Sequence, residues 1–447
     1  MAPTSRHRSS RPEPVDPAVA GTVPRPVILG GDLGAYGSAR AFHEAFGVRS
    51  VVVAGARTGA VADSAIVDLR VVPGLETPQL LAEVLRSVAA EEPGRPHLVL
   101  ASADWLVDLL VRAAPSLADV PDLVVPYPDA ATVARVSSKA EVMAACAELG
   151  VPHPETLVVV PGEPGIDDRL RALTYPRVVK VASTTAAHAV SYPGQAKVHV
   201  AASADEAVRL LATMAGAGLG SPVLVQELLP GGDAAMAAAN VFLDARGRPV
   251  LAQLGRVLLE EHTPSALGNS VAQATVDARQ DPAVQLTLRE VVRLVEHLGW
   301  SGFANVDLMR DADGVYRVLE INPRVGRSGF AVTASGYNVA ALYAHAFVPA
   351  DREAAEAGGD AAPSLVLASR EHLFTVVPLL LLRVFAPEQR RLVRRLRRAG
   401  AVTNPLYYRA ERSPRRWLYI AVAMANQLKK FARHHPASPL VRRRPAR

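Results

Sequence analysis

From Pro26 onward the chain alternates short β-branched apolar runs with stretches of helical periodicity. Runs at 27–29, 50–53, 66–72, 97–100 and 123–125 read as strands, and residues 38–45, 77–90 and 104–114 read as helices between them. Such βα alternation predicts a small parallel sheet over residues 26–126. A second block begins near Asp129 with a helix over 139–149, closed by Gly150 in the left-handed position that glycine tolerates. Val151-Pro152-His153-Pro154 then breaks the chain. Strands follow at 156–160, 177–181, 198–200, 223–228, 238–243 and 250–257, with helices over 203–217, where Ser203 is the expected N-cap, and 283–298.

The segment 304–322 alternates polar and apolar residues on both sides of Asp313-Gly314, the strongest short-range signal for a β-hairpin. A two-residue loop there sets Asp307 opposite Glu320 and Asn305 opposite Asn322. A four-residue loop keeps all four on one face, because side chains alternate with period two. A three-residue loop breaks that parity unless a bulge restores it. Val306, Leu308, Leu319 and Ile321 are expected to face a core. Two carboxylates facing each other on a sheet repel. A hard divalent cation such as Mg²⁺, with Mn²⁺ as a substitute, would compensate them. The alternative at this point is a solvated polar face that binds nothing.

Charge changes the picture at the end of the chain. Residues 383–447 carry 18 Lys+Arg against Glu388 and Glu411, so this segment holds +16 of a net +6 and the rest holds −10. A basic tail on an acidic body suits an anionic membrane surface or an anionic precursor. Leu392 and Leu396 would form an apolar stripe among arginines, an interfacial-helix pattern. Nucleic acid is not expected, since the basic run has no reading motif or interleaved stacking aromatics. The single cysteine, Cys146, excludes an intramolecular disulfide and fits a reducing cytoplasm. Residues 1–25 read as a disordered tail without an apolar run. The longest apolar stretches, 376–382 and 417–425, fall well short of a bilayer span. Richness in Ala, Arg, Val and Pro suits a high-GC bacterial genome. The Gly30-Gly31-Asp32-Leu33-Gly34 turn lacks the spacing of a dinucleotide fingerprint. A helix N-terminus facing an anionic substrate group is the better reading there.

Asp307 followed by Leu319-Glu320-Ile321-Asn322-Pro323-Arg324 resembles the ATP-grasp superfamily over roughly residues 26–345. The resemblance implies an α/β fold with α+β lobes. A small parallel-sheet domain (26–128) precedes a two-lobed ATP-grasp domain (129–345; small lobe about 155–228, large lobe about 229–345), and a helical, basic extension (346–447) follows. ATP and Mg²⁺ are the implied cofactors, with Asp307, Glu320 and Asn322 as metal ligands and Arg324 on phosphate or substrate. Lys139 and Lys180 resemble the family's nucleotide-binding lysines. Gln226-Glu227-Leu228-Leu229, with Asp233, resembles the hinge that holds adenine and ribose, and Arg256 stands where an arginine meets the γ-phosphate. Two departures are visible: Asn305 replaces the usual acid, and Ser183-Thr184-Thr185-Ala186-Ala187-His188 has none of the usual glycines of the phosphate loop.

The stretch 256–269 and the basic C-terminus resemble carboxylate–amine ligases related to D-aspartate ligase. His262, Asn269 and Asn305 then become candidates for substrate contact, the alternative for His262 and Asn269 being turn caps. The expected partner is a small-molecule or peptide substrate; residues 383–447 read either as a peripheral contact with an anionic membrane or as a solvated basic face that binds nothing in particular, and self-association is left open. Rival readings are an ATP-grasp ligase making a small peptide or amino-acid metabolite, and a non-catalytic ATP-binding scaffold.

Overall fold

The computed structural model of the protein describes residues 23–182, 190–196, 198–263, 266, 268–348 and 364–438. The first sheet is fully parallel, in the order β3-β2-β1-β4-β5. Its strands are β1 (Arg25–Leu29), β2 (Ser50–Ala54), β3 (Val67–Val71), β4 (His97–Ala101) and β5 (Leu123–Val124). The helices α1 (Leu33–Phe46), α2 (Pro78–Ala90) and α3 (Asp104–Ala113) make the crossovers. Central β1, β2 and β4 are buried throughout, as apolar runs covered on both faces should be. Order reaches back to Arg25, whose guanidinium pairs with Glu91 at 2.7 Å and Glu92 at 3.1 Å. Residues 1–22 of the expected tail lie outside the described residues.

Helices α4 (Ala130–Ser137) and α5 (Lys139–Leu149) lead into a four-stranded antiparallel sheet, β6-β9-β7-β8. Gly150 closes α5 at φ 66°. The strands are β6 (Thr156–Val159), β7 (Arg177–Val181), β8 (His199–Ala201) and β9 (Val223–Glu227). One face packs on α6 (Ile166–Arg171) and α7 (Ala204–Gly216), which Ser203 caps through the Glu206 N–H. That packing forms a separate hydrophobic core around Val179, Leu211 and Val225.

The third sheet runs β14-β13-β10-β11-β12-β16-β17. Its strands β10 (Met236–Leu243), β11 (Pro249–Glu261), β12 (Asn269–Thr275), β13 (Gly302–Arg310) and β14 (Tyr316–Asn322) are antiparallel, and α8 (Pro282–His297) covers one face. Near Phe242 and Phe303 the other face is covered by α1 and by α10 (Val339–Phe347), which follows α9 (Phe330–Ala334). The C-terminal part is helical, with α11 (Leu379–Phe385), α12 (Arg390–Arg398) and α13 (Pro414–His434). It also adds β15 (Val366–Leu367), β16 (Leu373–Thr375) and β17 (Val402–Thr403) to this sheet. Residues beyond 364 thus belong to the same framework. Arg416 of α13 donates to the carbonyls of Gly59 and Ala60 at 2.7 Å, and Glu411 accepts from Tyr36, Ser64 and Ala65.

The apolar stripe of α12 does not face outward. Val393 and Leu396 are buried in the core that contains Leu381, Leu382 and Phe431, and Leu392 packs against it. With its apolar side used inside the protein, α12 cannot insert that stripe into lipid, which corrects the interfacial reading of this helix.

Candidate active site

The hairpin β13–β14 has a three-residue loop. The Gly314 N–H donates to the Asp311 carbonyl at 3.1 Å, Asp311 and Val315 pair across the turn, and Gly314 takes φ 87°. The Asp311 carboxylate braces the loop by accepting from the Asp313 and Val315 N–H groups. An odd loop would put the two halves out of step. The register shifts beyond Asp307, where Glu320 pairs with Asp307 but Val318 pairs with Leu308. Leu319 is the extra residue. That bulge restores Asp307 opposite Glu320 and Asn305 opposite Asn322. It also removes Leu319 from the core, where Val318, at 1% exposure, takes its place beside Val306 and Leu308.

The two carboxyls are half-buried and hydrogen-bond each other. Burial, and then the charge of Glu320, hold the Asp307 carboxyl above the usual carboxylate range. Lys139, the first residue of α5, brings Nζ to 3.0 Å from Glu320 Oε2. Asn322 Nδ2 donates to Asp307 Oδ2 at 3.2 Å and to Asn305 Oδ1 at 3.3 Å. Asn305 in turn donates to Asn240 Oδ1 at 3.3 Å. Asn305 is therefore a buried member of a carboxamide row, with Gly326 so close that a Cβ there would lie 2.7 Å from Cγ of Asn305. With its amide nitrogen engaged, Asn322 has its carboxamide oxygen left for a ligand. Two acids plus one carboxamide oxygen is a donor set that suits a hard divalent cation.

Arg324 follows directly and is largely buried, with Nε 2.7 Å from Asp104 Oδ1 at the start of α3. Its charge lowers the Asp307 pKa, in part opposing burial and Glu320. Lys139, Asp307, Glu320, Asn322 and Arg324 thus come together from three parts of the chain.

Arg256 does not join them. It stands level with Ala237 and Leu308 across the sheet, whereas Asp307 stands level with Ala238 and Gly255. Adjacent residues on a strand face opposite sides. Arg256 therefore projects from the face covered by α8, where it pairs with Asp281 at 2.9 Å and reaches the Tyr316 hydroxyl at 3.2 Å. The expectation that it meets the γ-phosphate is corrected by strand parity.

In the small sheet, Lys180 shares a face with Leu224 and Gln226, opposite the Val179–Val225 face that carries the lobe's own core. The buried Gln226 donates to Thr156 Oγ1 at 2.8 Å. The Glu227 N–H is used on the Glu155 carbonyl, and its carboxylate lies 3.8 Å from Arg317. Leu228 is exposed and Leu229 buried. Arg317, which sequence reasoning missed, also pairs with Asp311 at 2.7 Å and donates to the His153 carbonyl at 3.2 Å. It ties the hairpin turn, the Pro-containing break and the strand end at Glu227 to one another. Its only signal was its place beside the turn. The Ser183–Thr185 reading lies outside the described residues.

Asp233 and His262 form a separate cluster. Asp233 Oδ2 accepts from the Glu260 N–H at 2.9 Å and meets His262 Nε2 at 3.1 Å, so its carboxylate is engaged there rather than turned to a ribose. Burial pushes the Asp233 pKa up, but the His262 and Glu260 hydrogen bonds outweigh it and leave it lowered. The Asp233 hydrogen bond raises His262. His435 of the C-terminal segment packs edge-on to His262 at 4.7 Å. His262 is seven residues along β11 from Gly255, roughly 20 Å at strand rise. Asn269 pairs with Glu261 at the same end. Neither is brought to the carboxylate pair. The Gly30–Gly34 turn is corrected too, because Asp32 caps α1 by accepting from the Ala35 N–H at 2.9 Å. A carboxylate already occupies that helix N-terminus, and a further anion there would be repelled.

Comparisons with known proteins bear on the family and the fold. Residues 171–347 match the family described as carbamoyl-phosphate synthase L chain, ATP-binding domain. A D-aspartate ligase of Enterococcus faecium is 27% identical over 418 residues, covering 92% of this chain and 96% of the relative. The L-amino acid ligase of Bacillus licheniformis superposes with a TM-score of 0.52 at 16% identity, over 73% of this chain and 75% of that one. The biotin carboxylase domain of the Hydrogenobacter thermophilus 2-oxoglutarate carboxylase, solved with MgADP, gives 0.55 at 13% identity, over 78% and 72%.

Proposed function

From the premise that the chain belongs to the ATP-grasp carboxylate–amine ligases, we propose that it activates an amino-acid carboxylate with ATP and joins it to an amine of a peptide acceptor. D-Aspartate is the first carboxylate to test, and a peptidoglycan-precursor peptide the first acceptor. The chemistry rests on one observation, the opposed Asp307 and Glu320 carboxyls with Asn322, Lys139 and Arg324 around them. The substrate class rests on the relative matched along nearly its whole length.

In the first half-reaction a substrate carboxylate oxygen bonds to the γ-phosphorus of ATP and the bond to the ADP oxygen breaks. In the second, the neutral acceptor amine attacks the acyl carbon, the amide C–N bond forms, and phosphate leaves. Asp307, Glu320 and Asn322 would hold Mg²⁺, which when bound neutralises phosphate charge. Lys139 lowers the cost of the acidic pair and supplies a cation beside it. Arg324, held by Asp104, offers a fixed guanidinium to a phosphoryl or carboxylate group. Lys180 and the backbone at 227–229 are the nucleotide-binding candidates on the small sheet and hinge. The hydroxyls of Ser183, Thr184 and Thr185 would replace some contacts that glycine N–H groups make elsewhere.

The test is phosphate release from MgATP with a panel of D- and L-amino acids, with and without the acceptor peptide. Stimulation by D-aspartate plus the peptide supports this reading. Stimulation by other amino acids without it would select a small-peptide ligase, and none by any acid a non-catalytic ATP-binding protein.

A further inference from the structure

Helix α13 is apolar on two sides. Ile420, Met424 and Phe431 are buried, and Arg416 sits among them, neutralised by the equally buried Glu411. At 100° per residue, Trp417, Leu418, Ala421, Val422, Ala425 and Leu428 fall on a second arc of about 140°. All six are exposed, with Leu418 67% and Val422 58% accessible. One helix face inside the protein needs an apolar stripe, and the second stripe is left without an intramolecular partner among the described residues. Trp417 lies at one margin, stacked on the exposed Tyr407 with its indole N–H bonded to the Glu411 carbonyl at 3.0 Å. At the other margin stand Arg415 and Arg433, and Lys429 falls about 20° inside it; all three are exposed.

We infer that this outer face of α13 is a docking surface for an anionic lipid bilayer. Between Gln389 and Ser438 the sole acid is Glu411, which is buried; Lys430 pairs with Glu261 and Arg395 with Glu371, whereas the exposed Arg415, Lys429 and Arg433 have no acidic partner among the described residues. That charge favours an anionic headgroup layer. It disfavours a second copy of the same face, which would bring like charges together. An apolar arc bordered by cations, with aromatic rings at its edge, suits a helix lying in the headgroup boundary. No described helix is long and apolar enough to cross a membrane, so the contact is peripheral. The inference is independent of which substrate the ligase uses.

Co-sedimentation of the full chain with vesicles containing phosphatidylglycerol, against vesicles of phosphatidylcholine alone, tests it. Binding to the anionic vesicles is expected, weakened by salt and reduced at least about tenfold by Leu418→Glu or Val422→Glu. Both positions are exposed and outside the ligase site, so unfolding temperature and MgATP turnover should stay at wild-type values. In a Trp105→Phe background, Trp417 emission should shift to the blue with anionic vesicles. Equal binding by the glutamate variants, or no binding, overturns the proposal. So does a dimer in sedimentation velocity that Leu418→Glu dissolves, because that result assigns the face to a second copy.

Discussion

Two polar clusters on the same sheet differ in how their charge is balanced. At Asp233 a carboxylate is met by a backbone N–H and an imidazole, and its pKa is lowered. At Asp307 a carboxyl is buried against a second acid, and its pKa is raised. In the first cluster the carboxylate has both a backbone N–H and an imidazole as partners within the protein. In the second, Lys139 pairs with Glu320 and Asn322 donates to Asp307, yet two acids still face each other in a buried setting that raises the Asp307 pKa. A self-balanced cluster serves structure, while an unbalanced one is kept for what it binds. Burial alone would not have separated them.

The sharpest way to break this contrast is to neutralise the unbalanced pair. Asp307→Asn or Glu320→Gln should lower ATP turnover by at least about 100-fold, since charge neutralisation is the main contribution of such groups to phosphoryl transfer. Without metal or nucleotide, the unfolding temperature of Asp307→Asn should stay level or rise, because a repulsion has been removed. Calorimetry should also show loss of the stabilisation that MgADP gives the wild type. Full turnover in both variants would sink the metal assignment.

The next largest effect separates two arginines that looked equivalent in the sequence. Arg324→Ala should cost about 100-fold in kcat/KM, because a fixed guanidinium beside the carboxyl pair is lost. Arg256→Ala should change kcat/KM by less than about threefold, since the side chain lies on the other face. Its partly exposed ion pair with Asp281 contributes on the order of 0.5 kcal/mol to stability at most. A comparable loss of activity in both would mean that the sheet parity misplaces Arg256.

That pair also marks where the sequence could be read and where it could not. The parallel sheet, the hairpin and the Asp307–Glu320 pairing were legible because they follow from period-two alternation, turn residues and caps, all local. The alternation left the loop length open, and the structure takes the three-residue form with the parity-restoring bulge at Leu319. Arg256 was misread because its face depends on counting along two further strands. Arg317 was missed for a similar reason, as its partners at 153 and 227 are remote in sequence. The α12 stripe was seen as apolar, but what it packs on lies in α11 and α13, and helical spacing says nothing of that.

A smaller effect probes the balanced cluster. Asp233→Ala leaves the Glu260 N–H without its acceptor and His262 without its partner, and should cost about 1–3 kcal/mol in denaturant unfolding. Its effect on ATP turnover should be far weaker than that of Asp307→Asn. A variant that kept full stability while losing turnover would place Asp233 with the unbalanced class.

The smallest effect is in pH dependence, and it has a definite sign. His262 titrates above its ordinary 6.5 in the folded protein, chiefly through the Asp233 hydrogen bond. Its contribution to stability is therefore present in full below about pH 6.5 and fades as pH rises through the raised value. Asp233 titrates below its ordinary 3.8, so its contribution holds above about pH 3.8 and fades as pH falls. Neighbouring His435 opposes them on the acid side, because burial lowers its pKa and acidification then favours the unfolded chain. The useful quantity is accordingly the stability difference between wild type and His262→Gln, in which the His435 contribution largely cancels. That difference should be greatest between about pH 4 and 6.5 and shrink toward about pH 8. A difference that grew with pH would mean that His262 is held neutral in the fold. The Asp233 cluster would then be no better balanced than the carboxyl pair at Asp307.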